Sequence, residues 1–370
     1  MKTGIVGPFP PYRGGIAQFS DRLVKTLRRT FPEDEFLPVS YRRLYPSLLF
    51  PGTSQYEPGS AGKAAFRDAL IDPCSPMAWI RARHHIENAG FDRLIVQWWH
   101  PFFAVSLALS LPDRIPSAAL CHNVVPHEFF PLAGRLAQWF LSRMSLLVTH
   151  SESDSRKAEA LGTDSRLLRL YHPVYDQYVD PGVTREKARE KLGYSEHARL
   201  VLFFGLVRSY KGVQDLVRAM KLLPDDVLLL IVGEAYSERS EIINAISSLG
   251  LSDRVRWIDR FVPDDEVPLY FSSADVVALP YRHATQSGVA QIALSFGSVL
   301  VLTDTGGLSE LVDPGSTGFL ARPWCPTDLA ESIASALELR KDPETSGRIL
   351  RKADSFSWDN YARRLMESLR

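Results

Sequence analysis

Two positively charged residues, Arg208 and Lys211, stand three positions apart just after the apolar run at 200–204. A short apolar run bounded by glycine is consistent with a buried strand, and open α/β sheets bind ligands at the carboxyl ends of their strands. Two cations on one such loop can neutralise a diphosphate group. The alternative interpretation is a solvated basic turn that holds no ligand.

A glycine pair, Gly14-Gly15, precedes an amphipathic helical pattern that begins near Ile16. Adjacent glycines let backbone N–H groups approach an anion, and the dipole of the following helix favours it. The plain alternative is a turn that only caps a helix. Neither a GxxxxGK[ST] phosphate loop nor a GxGxxG fingerprint occurs, which argues against a nucleoside triphosphatase and a standard nicotinamide dehydrogenase.

The elements that position these residues are short, continuously apolar runs followed by helical patterns. Continuous rather than alternating apolar strands are buried on both faces, as in parallel sheets covered by helices. The pattern therefore predicts two doubly wound, Rossmann-like α/β units. The runs lie at 93–97, 117–120, 146–149, 200–204, 227–232, 255–258, 276–279 and 299–302.

Composition and charge narrow the class of protein. The chain has 370 residues, enough for two to three domains, and 43 basic against 43 acidic residues, so no basic excess indicates a nucleic-acid partner. The first 180 residues carry three more basic than acidic groups, which favours an anionic partner for that half. Three widely spaced cysteines, without a signal-peptide core or a bilayer-length apolar run, lead us to expect a cytoplasmic protein.

Several short motifs, taken in their order and spacing, resemble the retaining glycosyltransferases of family 4, glycosyl transferases group 1, which have the two-Rossmann GT-B fold. The resemblance covers nearly the whole chain. The matching pieces are Pro10-Pro11 with Gly14-Gly15, His122-Asn123, Gly205 with Arg208 and Lys211-Gly212, 230–234, 270–276, Pro280-Tyr281, and Gly297 followed by 303–310.

The resemblance implies a GT-B arrangement of two domains facing across a cleft. Residues 1–177 would form the acceptor-side domain and 178–354 the nucleotide-sugar donor domain, while a C-terminal helix in 355–370 crosses back to the first domain. It also implies transfer of a sugar from a UDP- or GDP-linked donor to an acceptor hydroxyl, with retention of configuration and without a metal or further cofactor.

The resemblance assigns roles to three residues. Arg208 and Lys211 would stabilise the negative charge on the departing diphosphate, in the place that magnesium takes in other transferases. In many relatives the arginine directly follows the glycine, whereas Leu206 holds that position here. His122 would contact the donor sugar beside the reacting carbon, although a lone histidine is often only structural.

One family mark is absent, a pair of glutamates eight positions apart that binds the donor sugar and the ribose. Ala284 and Ile292 occupy those positions. Gln291 could replace the second glutamate after a small helix shift, and Thr285 and Gln286 could serve the sugar. Two interpretations follow: a subfamily that uses amides for carboxylates, which we favour, or a protein that has lost transfer activity.

The turn that begins at Gln286 starts a helix, so its N–H groups could hold a phosphate, and the loop at 260–262 is expected beside the base. His127 and Glu128 are weaker candidates for positioning the acceptor. The candidate donor-binding residues are Gly14, Gly15, Arg208, Lys211, Glu234, Phe261, Val262, Thr285, Gln286, Ser287, Gly288, Val289 and Gln291.

The segment 41–62 does not continue the alternation of strand and helix patterns, because proline and glycine occur repeatedly within the segment. Cations beside apolar side chains suit the boundary of an anionic membrane, which suggests peripheral contact with the inner face of the plasma membrane and a lipid-linked acceptor or cell-surface glycan precursor. The alternative is that this segment packs onto the first domain. The residues concerned are Arg42, Arg43, Leu44, Tyr45, Leu48, Leu49 and Phe50.

Two other classes of function remain open. A sugar-nucleotide epimerase can also use two Rossmann domains, but it needs cleft carboxylates for proton transfer, and the main candidates are Glu128 and Glu234. A catalytically inactive nucleotide-sugar-binding protein would bind the donor without turnover.

Overall fold

The structure is a computed structural model that describes residues 1–46, 55–56, 69–125, 130–284 and 286–369. The chain divides into two compact units, Met1–Tyr171 with Trp358–Arg370, and His172–Ser357. Each unit contains one sheet of parallel strands with helices packed against it. This confirms the prediction of two Rossmann-like α/β domains.

The first unit is built on a seven-stranded sheet in the order β3-β2-β1-β4-β5-β6-β7. Its strands are β1 (Lys2–Val6), β2 (Glu35–Tyr41), β3 (Ala69–Ile71), β4 (Arg93–Trp98), β5 (Ser117–Cys121), β6 (Leu146–Thr149) and β7 (Arg166–Arg169). Its helices before the second unit are α1 (Gly15–Thr30), α2 (Pro76–Asn88), α3 (Ala104–Ser110), α4 (Ala133–Leu141) and α5 (Glu152–Ala160).

The second unit is built on a six-stranded sheet in the order β10-β9-β8-β11-β12-β13. Its strands are β8 (Arg199–Phe204), β9 (Val227–Val232), β10 (Val255–Ile258), β11 (Val276–Leu279), β12 (Val299–Thr303) and β13 (Gly318–Ala321). Its helices are α6 (Arg185–Leu192), α7 (Val213–Met220), α8 (Arg239–Ser248), α9 (Val267–Ser273), α10 (Gly288–Ser295), α11 (Pro326–Leu339) and α12 (Thr345–Ser355).

The last helix, α13 (Trp358–Leu369), belongs to the first unit and packs on α1. Alternate side chains of each central strand point to opposite faces of the sheet. Val6 and Val96 therefore join the core under α2, α3 and α4, whereas Ile5 and Ile95 join the core under α1 and α13. Both faces of the sheet are buried, which explains why the central strands are apolar throughout.

The unit boundaries differ by a few residues from those predicted at 177 and 354. The first unit ends at Tyr171, and residues that follow it already pack within the second unit. The Val174 N–H group donates to the Phe356 carbonyl over 3.0 Å, and the Tyr175 ring lies against Gly288. Proline and polar residues marked this connection in the sequence but could not reveal those contacts.

Across the ranges that the structure describes, no helix combines the length and the apolar character needed to cross a bilayer.

Candidate functional site

In the first unit, His122 follows β5 directly and is held in one orientation. Its backbone N–H group donates to the Trp98 carbonyl over 2.8 Å, and its ring Nε2 lies 2.7 Å from Gln97 Oε1. An amide oxygen only accepts hydrogen bonds, so Nε2 carries the proton in this arrangement. The edge of the Phe19 ring also contacts the imidazole. Gln97 thus positions the histidine from the end of the neighbouring strand β4.

The paired glycines lie at the start of α1. Gly14 precedes the helix with a φ of 116°, a conformation that favours glycine, and Gly15 is the first helical residue. Both are exposed, and a Cβ atom at Gly14 would meet no atom within 4 Å. No acidic residue lies in the first helical turn. An anion can therefore approach these N–H groups, and their role in donor binding stays a prediction.

The described part of the 41–62 segment packs onto the first unit. Leu44 is buried, and the Tyr45 hydroxyl accepts a hydrogen bond from Trp99 Nε1 over 3.0 Å. The Arg43 guanidinium pairs with Asp72 over 2.8 Å. Of the two interpretations of this segment, membrane contact and packing on the first domain, the second therefore applies to these residues. Leu48, Leu49 and Phe50, like His127, Glu128 and Thr285, lie outside the described residues.

In the second unit, two glycines bring the ends of β8 and β9 together. Gly205 and Gly233 have φ angles of 106° and 142°, and a Cβ atom at Gly233 would lie 2.2 Å from the Gly205 carbonyl oxygen. The Val207 N–H group donates to the Glu234 carbonyl over 2.9 Å, so Glu234 takes part through its backbone. Its side chain is exposed. The ends of β8 and β9 are therefore in close backbone contact, and this contact fixes the start of the loop that follows β8.

The loop after β8 forms a short 3-10 turn, Ser209–Lys211, that is pressed against the end of β11. Gly212 ends the turn with a φ of 66°, and a Cβ atom there would lie 2.1 Å from the Pro280 carbonyl oxygen. Only glycine permits this approach. The contact directs Lys211 beneath the turn, beside Gly205.

Lys211 is a buried cation without a counter-charge of its own. Its side chain is 9% exposed, and Nζ lies 5.4 Å from the centre of the Tyr281 ring. Within the described residues, no carboxylate or other hydrogen-bond partner meets Nζ. Burial, and the like charge of Arg208, lower the pKa of Lys211 to about 8. The site is thus prepared to receive an anion, which would supply the missing charge.

Arg208 adds a second cation at the outer side of the same turn. Its guanidinium lies over the Tyr236 ring, 5.4 Å from the ring centre, and the side chain is partly exposed. A cation over an aromatic face is held in place while its N–H groups stay available. The structure therefore places both sequence-predicted cations on one turn at the carboxyl end of β8.

The start of α10 lies beside this turn. Ser287 caps the helix, because its Oγ accepts from the Ala290 N–H group over 3.2 Å. A Cβ atom at Gly205 would lie 3.3 Å from the Val289 side chain and 3.1 Å from Lys211 Nζ. Gly288 is backed by the Tyr175 ring. The predicted phosphate-binding turn and the predicted cations are therefore neighbours in the fold.

Two buried amides accompany this helix. Gln291 is 3% exposed, and neither its Oε1 atom nor Gln286 Nε2 has a hydrogen-bond partner in the part of the chain that the structure describes. An unsatisfied buried polar atom costs free energy, so such groups commonly await a ligand or water. Ile292 is also buried and offers no polar group.

The two residues predicted in the loop after β10 differ in their exposure to solvent. Phe261 is about half exposed, whereas Val262 is buried. The neighbouring Arg260 pairs with Glu266. An exposed ring at the carboxyl edge can stack on a planar base. Val262 can contribute only shape or backbone groups.

Sequence reasoning missed a buried ion pair that holds the turn. Arg282 bonds both carboxylate oxygens of Asp215, at 2.9 and 3.3 Å, and donates to the Ser209 carbonyl over 3.0 Å. Its backbone N–H group donates to the Tyr210 carbonyl, and its guanidinium lies 3.8 Å from the centre of the Trp324 ring. Arg282 therefore fixes the backbone that presents Arg208 and Lys211. The sequence did contain one signal for Arg282, because this residue follows the end of β11 closely.

Comparison with known proteins supports this architecture. Among the solved structures that match this chain is that of Anabaena Alr3699/HepE in complex with UDP, with a TM-score of 0.72 and 20% identity over 100% of this chain and 99% of the HepE chain. The sucrose-phosphate synthase of Thermosynechococcus elongatus also has a TM-score of 0.72, with 15% identity over 100% of this chain and 98% of the synthase chain. The fold is the GT-B class, with two Rossmann-like domains.

Residues 184–353, within the second unit, match the family model described as Glycosyl transferases group 1. The D-inositol 3-phosphate glycosyltransferase of Corynebacterium efficiens is 30% identical over 73% of this chain and 64% of its own length. The protein of that name from Nocardia farcinica is 31% identical over 69% and 58%. The chain thus spans about three fifths of the length of these curated relatives. The similarity to glycosyl transferases group 1 thus lies in the second unit of this chain.

Proposed function

We propose that this protein transfers a sugar from a nucleotide-diphosphate sugar to an acceptor hydroxyl, with retention of configuration, as a family 4 member. The observation that carries this proposal is the buried, unneutralised Lys211 beside Arg208 at the carboxyl end of β8. Such an arrangement favours a doubly charged anion over a neutral ligand. The match of residues 184–353 to glycosyl transferases group 1 supports the same conclusion.

The two cations act on the leaving group. When the bond between sugar and phosphate breaks, negative charge develops on the departing diphosphate, and fixed cations stabilise that state more than the ground state. Lys211 is shielded from water, so its charge acts more strongly than it would at the surface. We propose that this charge pair replaces a metal ion and that the donor is the only small molecule the reaction requires.

The remaining contacts follow from the positions of the side chains. We propose that UDP is the nucleotide part of the donor, because HepE is described in complex with UDP, with GDP as the alternative. Phe261 would stack on the base, and Gln291 would accept a hydrogen bond from the ribose. His122, held by Gln97, would contact the donor sugar. A sugar or a lipid-linked glycan precursor would supply the hydroxyl.

Lys211 should give this reaction a characteristic pH dependence. Its pKa of about 8 means that the free protein loses the charge as the pH rises through 8. We expect affinity for UDP, measured by calorimetry, to fall by up to about tenfold per pH unit above that value. Lys211→Arg stays charged and should remove this decline. A wild-type affinity that is flat up to about pH 10 would contradict the assignment.

Incubation with a panel of nucleotide sugars and candidate acceptors tests the function directly. We expect release of nucleoside diphosphate and formation of a glycoside of unchanged anomeric configuration, with rates unaffected by excess chelator. A new epimer without release would identify an epimerase, and donor binding without product an inactive protein. Loss of turnover in chelator with rescue by magnesium would overturn the proposed role of the two cations.

A further inference from the structure

One layer of the first unit exposes a group of large apolar side chains. The helices α2, α3 and α4 lie side by side, with α3 in contact with both others. Their inner sides fill the core through residues such as Ala82 and Leu107. Their outer sides present apolar residues to solvent, and these are Met77, Ile80, Val105, Leu109, Leu132 just before α4, and Trp139.

The opposite layer of the same sheet provides an internal comparison. There α1 and α13 bury Phe19, Leu23 and Leu365 against the strands. Among the described residues of these two helices, no large apolar side chain is exposed. Exposed large apolar side chains are therefore found on the layer of α2, α3 and α4 and are absent from the described residues of α1 and α13. A group of exposed large apolar side chains on one side of a domain is typical of an interaction site.

The charges around the α2–α3–α4 face have one predominant sign. Residues 76–88, 104–114 and 131–143 contain five arginines against two carboxylates. Arg83 and Arg143 pair with Asp113 and tie the layer together. Arg81, Arg114 and Arg135 have no carboxylate partner within the ranges that the structure describes.

We propose that the α2–α3–α4 face docks on an anionic lipid surface. Exposed apolar side chains, on a layer that also carries arginines without a carboxylate partner among the described residues, suit a boundary where acyl chains meet charged headgroups. Trp139 has the amphipathic ring that favours such a boundary, and the Arg143 guanidinium lies 5.9 Å from its centre. This surface is distinct from the 41–62 segment predicted from the sequence, and membrane binding here does not depend on sugar transfer.

Flotation with vesicles tests the proposal. We expect the 370-residue protein to co-float with vesicles of phosphatidylcholine and phosphatidylglycerol at low salt, but not with phosphatidylcholine alone. Ile80→Glu/Leu109→Glu should reduce the bound fraction about tenfold or more. A matched control, Ile243→Glu/Leu350→Glu, changes two comparably exposed residues of the second unit and should float like wild type. Circular dichroism and thermal unfolding verify that the variants are folded.

Other outcomes reject the α2–α3–α4 face. If wild type does not bind anionic vesicles at low salt, or if the Ile80/Leu109 variant floats normally, the proposal fails. If only Arg42→Glu/Arg43→Glu abolishes flotation, the 41–62 segment is the contact. If wild type is a dimer that the Ile80/Leu109 variant converts to a monomer, with no lipid binding, the face is an interface between two copies.

Discussion

Replacement of Lys211 by methionine is expected to lower sugar transfer by about 10²–10³-fold, because in the proposed reaction this lysine is the cation that faces the developing charge. The same change should raise the free energy of unfolding by up to about 3 kcal/mol at neutral pH. Burial lowers the pKa of this lysine from 10.5 to about 8, so the folded protein holds a charge at a cost. Methionine retains the apolar stem without that charge.

The sign of this stability effect depends on pH. Below pH 8 the lysine is charged in both states, and the destabilisation is fully present. As the pH rises towards 10.5 the folded lysine becomes neutral first, so the advantage of methionine should disappear. Chemical denaturation at several pH values measures this, and Lys221→Met, an exposed lysine at the end of α7, is the control. Lower stability of the Lys211 variant at pH 7 would contradict the argument.

Replacement of Arg282 by methionine is expected to have the largest effect on stability, a loss of about 3–5 kcal/mol. The variant leaves Asp215 buried without its partner, and an uncompensated buried charge is strongly destabilising. The double variant Arg282→Met/Asp215→Leu removes both charges and should recover most of the stability. Arg218, which also contacts Asp215, is exposed and contributes little.

Transfer activity should not recover with stability in the double variant. The turn would still lack the hydrogen bond from Arg282 to the Ser209 carbonyl, so Lys211 and Arg208 would be held less firmly. We expect a fall in kcat of about tenfold or more in the double variant, measured under conditions where it is fully folded. Wild-type kcat in that variant would show that Arg282 only stabilises the fold.

Most central strands were predictable because burial on both faces leaves a continuous apolar signal, although the central strand β1 was not among the runs. Each of the eight runs found in the sequence lies within an observed strand, as in 227–232, which is β9. Four strands at or near a sheet edge, β2, β3, β7 and β13, were not among these runs, although the edge strand β10 was. β7 has the sequence Arg166-Leu167-Leu168-Arg169 and is largely exposed, and β2 contains Pro38. Strands at or near the edge of a sheet are less buried, so the apolar signal in their sequences is weaker.

The position of the candidate site was predictable where charged residues directly follow a strand end. Arg208 and Lys211 could be found because they follow β8 within a few residues. The burial of Lys211 could not, because it depends on how closely Gly212 approaches Pro280. Asp215 looked like an ordinary helical carboxylate, and its partner Arg282 is far away along the chain. Pairings of this kind arise from tertiary packing, which no local pattern encodes.

The return of α13 to the first unit has a consequence for synthesis of the chain. The first unit is complete only after residue 358 and those following it have been made. At about 5–20 residues per second, translation of the intervening second unit takes on the order of ten seconds or more. Throughout that time the surface formed by Phe19 and Leu23 lacks its cover from Leu365 and Met366. A nascent chain therefore needs protection from aggregation, and a product truncated before α13 retains this exposed surface permanently.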